Sequence, residues 1–208
     1  MQEQLFNIEQ PKTDGNKSNS DLICELYGLG AGEGYDIVYA DPPWEYNTKE
    51  CLAKTSILNG ELNTHYETMT MNDLKNLKIR NIAAKNCLLF LWVVSPMLKE
   101  GIELMEEWGF KYATVAFIWH KKRTNPGHYT MSECEICLVG KRNKIPVPRG
   151  ARNIKQFLAE ERGRHSAKPK EIRDRITKMF PTQKKIELFA RQRIDGWDVW
   201  GNQAPKSV

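Results

Sequence analysis

The stretch that most constrains this chain is Tyr35-Asp36-Ile37-Val38-Tyr39-Ala40-Asp41-Pro42-Pro43-Trp44. Apart from Asp36 its first six residues are β-branched, aromatic or apolar, the pattern of a strand buried on both faces of a parallel sheet. Two consecutive prolines then remove two backbone donors and fix φ, so the chain after Asp41 leaves the ladder as a rigid, extended arm. A carboxylate, two tertiary-amide carbonyls and an indole are thereby set at the carboxyl edge of a strand. Open α/β sheets bind ligands at such edges.

This set suits recognition of a flat heterocycle that bears an amine. Asp41 only accepts hydrogen bonds when ionised, the Pro42 carbonyl is a second acceptor on a fixed frame, and Trp44 offers a stacking face. Two rigid acceptors can bind both N–H groups of an exocyclic amine, turn the nitrogen lone pair out of ring conjugation and aim it at an electrophile without a formal base. The plainer alternative is a proline-ended strand with an ordinary surface aspartate. The adjoining Trp44 and the buried strand before it weigh against that alternative.

Further blocks follow in the chain: Leu89-Phe90-Leu91-Trp92-Val93, Glu135-Ile136-Cys137-Leu138-Val139-Gly140, Arg164-His165-Ser166-Ala167-Lys168-Pro169, Glu187-Leu188-Phe189-Ala190-Arg191 and Gly196-Trp197-Asp198-Val199-Trp200-Gly201-Asn202. With Asp41-Pro42-Pro43-Trp44 at their head, and in this order from about residue 21 to 203, they resemble the MT-A (seventy-kilodalton subunit) family of S-adenosylmethionine-dependent N6-adenine methyltransferases, its short bacterial and phage DNA members included. The resemblance implies an α/β, Rossmann-like three-layer sandwich in a permuted order, with the amine-recognition motif ahead of the cofactor motif.

It also implies roles. Asp41, Pro42, Pro43 and Trp44 would be catalytic. Asp41, Lys168, Glu187, Phe189, Arg191, Asn202 and Gln203 would line the S-adenosyl-L-methionine pocket, with Lys168 on the methionine carboxylate. For Glu187 the alternative is an ion pair with Lys184 or Lys185; for Asn202 and Gln203 it is a polar turn at a strand end.

Composition narrows the classes. At 208 residues and 40% hydrophobic content the chain can bury one full core. The longest apolar run, Cys87 to Val94, is far short of the roughly 20 residues of a membrane span. Met1-Gln2-Glu3-Gln4 lacks the order of a signal peptide. A soluble, intracellular, cytoplasmic protein of bacterial or phage type is expected, as one domain over 21–203 with a disordered lead-in over 1–20 and a tail over 204–208.

Five scattered cysteines do not suggest a disulfide framework. Cys134 and Cys137 are three apart in a strand pattern, facing opposite sides, and no second pair completes a zinc site, so no metal is expected. Gly28 to Gly34 alternates glycines ahead of a strand instead of following one, which excludes the dinucleotide fingerprint.

Charge is unevenly placed. Residues 141 to 193 hold 17 Lys/Arg against 5 Asp/Glu, a net of +12, and the rest of the chain carries −7. A polycationic segment on an acidic protein reads as a phosphate-backbone footprint, although part of Lys170 to Lys185 reads equally as a solvated helix face. Lys141-Arg142-Asn143-Lys144, Arg149 and Arg152, in a stretch broken by Pro146 and Pro148, read as a mobile loop contacting nucleic acid. The run His120 to Tyr129 reads as a second basic loop after a strand. Lys121, Lys122, His128, Arg149 and Arg152 are accordingly candidate substrate contacts, joined by Tyr46 and Asn47 as the site-facing residues of the stretch from Trp44 to Tyr66, which reads as a lid or substrate arm.

Along the chain, Thr70 is expected to cap a helix with Met71, Leu74 and Leu77 on one face. Strands are expected at Leu88 to Val94, Tyr112 to Trp119, Glu133 to Gly140, Lys185 to Ala190 and Trp197 to Gly201. Helices are expected from Ser95-Pro96 to Gly109 and from Lys168-Pro169 to Pro181. Strands alternating with helices imply a mostly parallel sheet.

The expected activity is methyl transfer to the adenine 6-amino group in nucleic acid, DNA before RNA, with no membrane partner and a homodimer left open. The rivals are an RNA methyltransferase and a catalytically silent nucleic-acid-binding partner of the same fold.

Overall fold

The computed structural model describes residues 34–45, 68–126, 129–163 and 167–201. Its strands are β1 (Tyr35–Ala40), β2 (Ala83–Val93), β3 (Lys111–Asn125), β4 (Ser132–Arg142), β5 (Phe157–Ala159), β6 (Lys185–Leu188) and β7 (Asp198–Trp200). Among the described residues the α-helices are α1 (Met71–Asn76), α2 (Leu98–Glu107) and α3 (Lys170–Met179). One seven-stranded sheet runs in the order β5-β3-β4-β2-β1-β6-β7. The pairs β1/β2, β1/β6, β3/β5 and β6/β7 are parallel, while β4 runs antiparallel to both β2 and β3.

The period of two in the strands sorts the core into two layers. Along β2, Cys87, Leu89, Leu91 and Val93 pack with Leu74 of α1 and Leu104 and Met105 of α2. The intervening Leu88, Phe90 and Trp92 face the other way, onto Ile172 and Ile176 of α3. The result is a sheet between two helical layers, an α/β three-layer sandwich with a mostly parallel sheet. Each layer depends on an amphipathic stripe that can be buried only against the sheet.

Local chemistry accounts for several boundaries. Thr70 Oγ1 accepts from the Asp73 backbone N–H at 3.2 Å and the Asp73 carboxylate accepts from the Thr70 N–H at 3.2 Å, a reciprocal capping box that starts α1. Gly109, at φ +85, carries the chain out of α2 through a conformation that a side chain would resist.

Other expectations are revised. β3 continues to Asn125, absorbing half of the expected basic loop, because its antiparallel pairing with β4 persists past His120 to Asn125 opposite Ser132. The short edge strand β5 had no periodic signal in three residues. The segment around Arg142 is tethered at the far edge of the sheet, since Arg142 Nη1 donates to the carbonyls of Arg80 and Ala83, and Asn143 donates to that of Lys85. Among the described residues no helix is long and apolar enough to cross a membrane. The expected lead-in, the glycine run up to Glu33 and the tail lie outside the described residues.

Candidate active site

The strand order fixes where a ligand can enter. From β1 the chain goes to β2 on one side, and it later returns to β6 on the other, so the carboxyl end of β1 is a point where the strand order reverses. Asp41 is the first residue past that end. In β1, Ile37 and Tyr39 face α3, and Asp41 continues their parity. The same face and edge receive Trp92 from β2, Glu135 and Cys137 from β4, Glu187 from β6, and Lys168 from the segment leading into α3.

These side chains form an alternating series of charges. Lys121 Nζ lies 3.4 Å from Glu135 Oε1; Lys168 Nζ lies 3.2 Å from Glu135 Oε2 and 2.7 Å from Asp41 Oδ1. Arg173 Nη1 donates to both oxygens of Glu187, at 3.0 and 3.1 Å. Lys168 also sits 5.4 Å from the centre of the Trp92 ring, within cation–π range. Three acids and three bases thus balance in a nearly dry pocket wall, where an unpaired charge would be costly.

The proton affinities follow from that setting. Burial alone would lower the Lys168 ammonium, but Asp41 and Glu135 outweigh it and hold its pKa above the usual lysine value. Burial pushes the Glu187 carboxyl up, Arg173 offsets part of that rise, and Asp41 adds to it. Burial, together with the charge on Asp41, likewise raises the Cys137 thiol, which packs as a core residue while Cys134 on the opposite parity is half-buried.

The arm after Asp41 is firmly held. The Trp44 N–H donates to the Pro42 carbonyl at 2.9 Å, the Met69 N–H to the Pro43 carbonyl at 2.8 Å, and the Trp44 indole to the Trp92 carbonyl at 3.0 Å. Trp44 departs from expectation here: at 7% exposure it packs in the core on the α1 and α2 side, so its ring is taken up by the interior instead of offering a stacking face. The Pro42 carbonyl keeps one lone pair beyond its bond to Trp44.

At the end of β6, Phe189 adopts φ +60, a left-handed conformation rare for an aromatic residue, and its ring meets Trp200 edge-on at 5.7 Å. Gly201 lies against that turn: a Cβ there would meet the Ala190 N and O at 2.5 Å each. Two parallel strand ends are thereby drawn together beside Asp41 and Glu187. Arg191 is exposed on the following turn.

The remaining candidates are dispersed. Lys121 joins the ionic series, and Lys122 follows it, exposed and at φ +53. Arg149 sits at the other end of the sheet, its guanidinium 5.5 Å from the centre of the Phe180 ring, where α3 turns back toward the start of β6. Lys141 to Lys144 share that far edge, and Arg152 is exposed ahead of β5. Tyr46, Asn47, His128, Asn202 and Gln203 lie outside the described residues. Glu187 pairs with Arg173 and not with Lys184 or Lys185, the alternative weighed above, because α3 lies directly over it while the Lys185 ammonium is taken up by the carbonyls of Phe180, Pro181 and Gln183. Glu135, Arg173 and the pairing of Lys121 were missed as site features; the available signal was an acid inside the otherwise apolar run from Cys134 to Gly140.

The family model described as MT-A70 matches residues 35–203. The chain belongs to the MT-A70 family. A Mycoplasma protein named Type II methyltransferase M.MunI is similar to this MT-A70 chain, with 45% identity over 82% of the chain and 78% of the relative. The mouse N(6)-adenine-specific methyltransferase METTL4 is 29% identical over 90% of the chain, which spans 41% of that relative. The human N(6)-adenosine-methyltransferase catalytic subunit METTL3 is 28% identical over 81% of the chain, which spans 28% of that larger protein.

Proposed function

We propose that this MT-A70 protein transfers a methyl group from S-adenosyl-L-methionine to the 6-amino nitrogen of adenine in nucleic acid, with DNA as its substrate. The observation that carries the reading is the Asp41 carboxylate at the strand-order reversal, on a proline-stiffened arm and beside Lys168. Family membership supports the reaction class, and similarity to a type II methyltransferase over most of both chains supports DNA over RNA.

Asp41 and the free lone pair of the Pro42 carbonyl accept the two N–H groups of the adenine amine and orient its nitrogen, so that it attacks without prior deprotonation; the proton that the nitrogen sheds on becoming methylated passes to the Asp41 carboxylate and on to solvent. For Asp41 to do so, Lys168 must release it. Glu135, already 3.2 Å from the same ammonium, is the carboxylate that keeps Lys168 paired when it turns. Trp92 supplies the apolar floor beneath that cation. With Trp44 committed to the core, base stacking falls to Tyr46.

The donor set fits a sulfonium nucleoside. Such a molecule needs an acid for its ribose hydroxyls, a cation for its carboxylate, and a close backbone approach. Glu187 retains lone pairs beyond those held by Arg173, Lys168 is the cation, and the Gly201 contact with Ala190 closes the strand ends. Lys168, Glu187, Phe189, Arg191, Asn202 and Gln203 would hold S-adenosyl-L-methionine, and Asp41 would touch its ammonium. When bound, it supplies an electrophilic methyl on a positive sulfur. In duplex DNA the adenine must leave the stack, at a cost of a few kcal/mol that contacts to the backbone offset.

The test is calorimetric titration with S-adenosyl-L-methionine, followed by nucleoside mass spectrometry after separate incubation of DNA and RNA with isotopically labelled donor. Labelled N6-methyladenine from DNA is the expected product. Label confined to RNA would transfer the assignment to the RNA branch, and absence of both binding heat and label would remove the catalytic reading.

A further inference from the structure

A second feature lies one ion pair beyond the catalytic series. Lys121, Lys122 and Arg123, near the carboxyl end of β3, and Glu161, Arg162 and Gly163, just past β5, line a cavity of about 530 Å³. The two walls come from distant parts of the chain and are joined by two hydrogen bonds. The Glu160 N–H donates to the His120 carbonyl at 3.1 Å, and the Trp119 indole donates to the Glu160 carbonyl at 2.8 Å, so the residue after β5 is fixed beside the strand that carries the cations. Lys122, at φ +53, breaks the strand alternation there, so three consecutive cations need not point alternately up and down.

Among the described residues, four cations meet one carboxylate in this cavity. Lys121 is nearly buried and pairs with Glu135, whereas among the described residues Lys122, Arg123 and Arg162 have no carboxylate partner. Cations gathered around a concavity repel one another unless an anion completes the set. A cavity of this size exceeds a lone inorganic anion and suits a phosphate attached to its sugar. Lys121 belongs both to the cavity wall and to the series that reaches Asp41 through Glu135 and Lys168.

We propose that this cavity is a backbone-phosphate site, holding a phosphodiester of the same nucleic-acid strand that presents its adenine to Asp41, with Arg123 and Arg162 as the ligands that define it. The inference rests on the methyltransferase reading and deepens it. It adds an anchor that fixes the strand relative to the carboxylate, separate from the cationic residues at the opposite edge of the sheet.

The test compares Arg123→Ala/Arg162→Ala with wild type and with Lys144→Ala, which alters a cation at the far edge. Binding of a fluorescent adenine-containing oligonucleotide is followed across salt concentrations, alongside steady-state methylation and titration with S-adenosyl-L-methionine. The double variant should lower the slope of log affinity against log salt by about 1, the loss of one neutralised phosphate. It should raise KM for the oligonucleotide about tenfold with little change in kcat, and leave donor binding intact. Excess inorganic phosphate should compete weakly and no differently from sulfate if the site takes a diester. Competition by free phosphate at low concentration, with the oligonucleotide slope unaffected by the double variant, would overturn the proposal in favour of a small-anion site. Wild-type methylation with an unchanged slope and KM in the double variant, or an equal effect of Lys144→Ala, would overturn the cavity alone. No methyl transfer by wild type would refute the underlying function.

Discussion

Lys168 donates to Asp41 at 2.7 Å across 127 positions of sequence, and the same ammonium is 3.2 Å from Glu135. One cation shared between two carboxylates can leave either without becoming unpaired. That property matters at Asp41 if, as proposed, the carboxylate is held in place yet yields to an incoming amine.

Asp41→Asn replaces an acceptor-only carboxylate by an amide that also donates. It should lower kcat by about 10²–10³-fold, the usual cost of removing an oriented polar contact to the reacting group. Oligonucleotide affinity should be roughly unchanged. Single-turnover methylation of a labelled oligonucleotide, paired with a binding titration, separates the two effects; retained turnover would remove Asp41 from the reaction.

The alkaline behaviour follows from the sign of the Lys168 shift. Its folded pKa is raised above the usual value of about 10.4, so the native state holds the proton more tightly than the unfolded chain. The stabilisation is fully present below that usual value and is lost only as pH rises through the folded pKa. The difference in melting temperature between wild type and Lys168→Met should therefore be flat from neutral pH to about 9 and should shrink above about 10.5. A difference that already narrows near pH 8 would contradict the pairing.

Trp92 donates its indole N–H to the Tyr39 hydroxyl at 2.7 Å inside the core. Trp92→Phe keeps a ring beneath Lys168 but leaves that buried hydroxyl without its donor. A loss of about 1–3 kcal/mol is expected from the unmet polar group. Urea denaturation measures it, and an equal loss in a Tyr39→Phe background would show that the hydrogen bond is not its source.

Arg173 and Glu187 are each about one-tenth exposed, and removing one leaves the other buried and charged. Arg173→Met alone should cost about 3–5 kcal/mol, whereas adding Glu187→Leu should recover most of it. Donor binding should be lost in the double variant, because the acid proposed for the ribose hydroxyls is gone. Stability restored together with donor affinity would take Glu187 out of the cofactor site.

Much of the fold was legible because periodicity and punctuation are local. The cap at Thr70, the stop at Gly109 and the unbroken apolar run of β2 all follow from residues within a few positions of one another. β5 was hidden because three residues carry no period; it exists through pairing with β3. The tail of β3 was hidden for a related reason. A polar, basic run looks like a loop unless a partner strand is known to lie beside it.

The site divided in the same way. Asp41 and Lys168 stand in blocks that mark them, whereas Arg149 carries an equally suggestive charge and ends under Phe180 at the opposite edge. Charge density along a chain is blind to which end of a sheet each residue reaches.

The amino-acid order alone determined that a buried strand must stop at Asp41, since proline geometry admits no continuation. It also determined the amphipathic stripes that make two helical layers. Tertiary structure decided that Lys168, Glu135 and Lys121 would converge on that carboxylate, and that Trp44 would turn inward. Backbone sterics act over a few residues, but ion pairs between distant segments exist only once strand order and parity have put their side chains on one face.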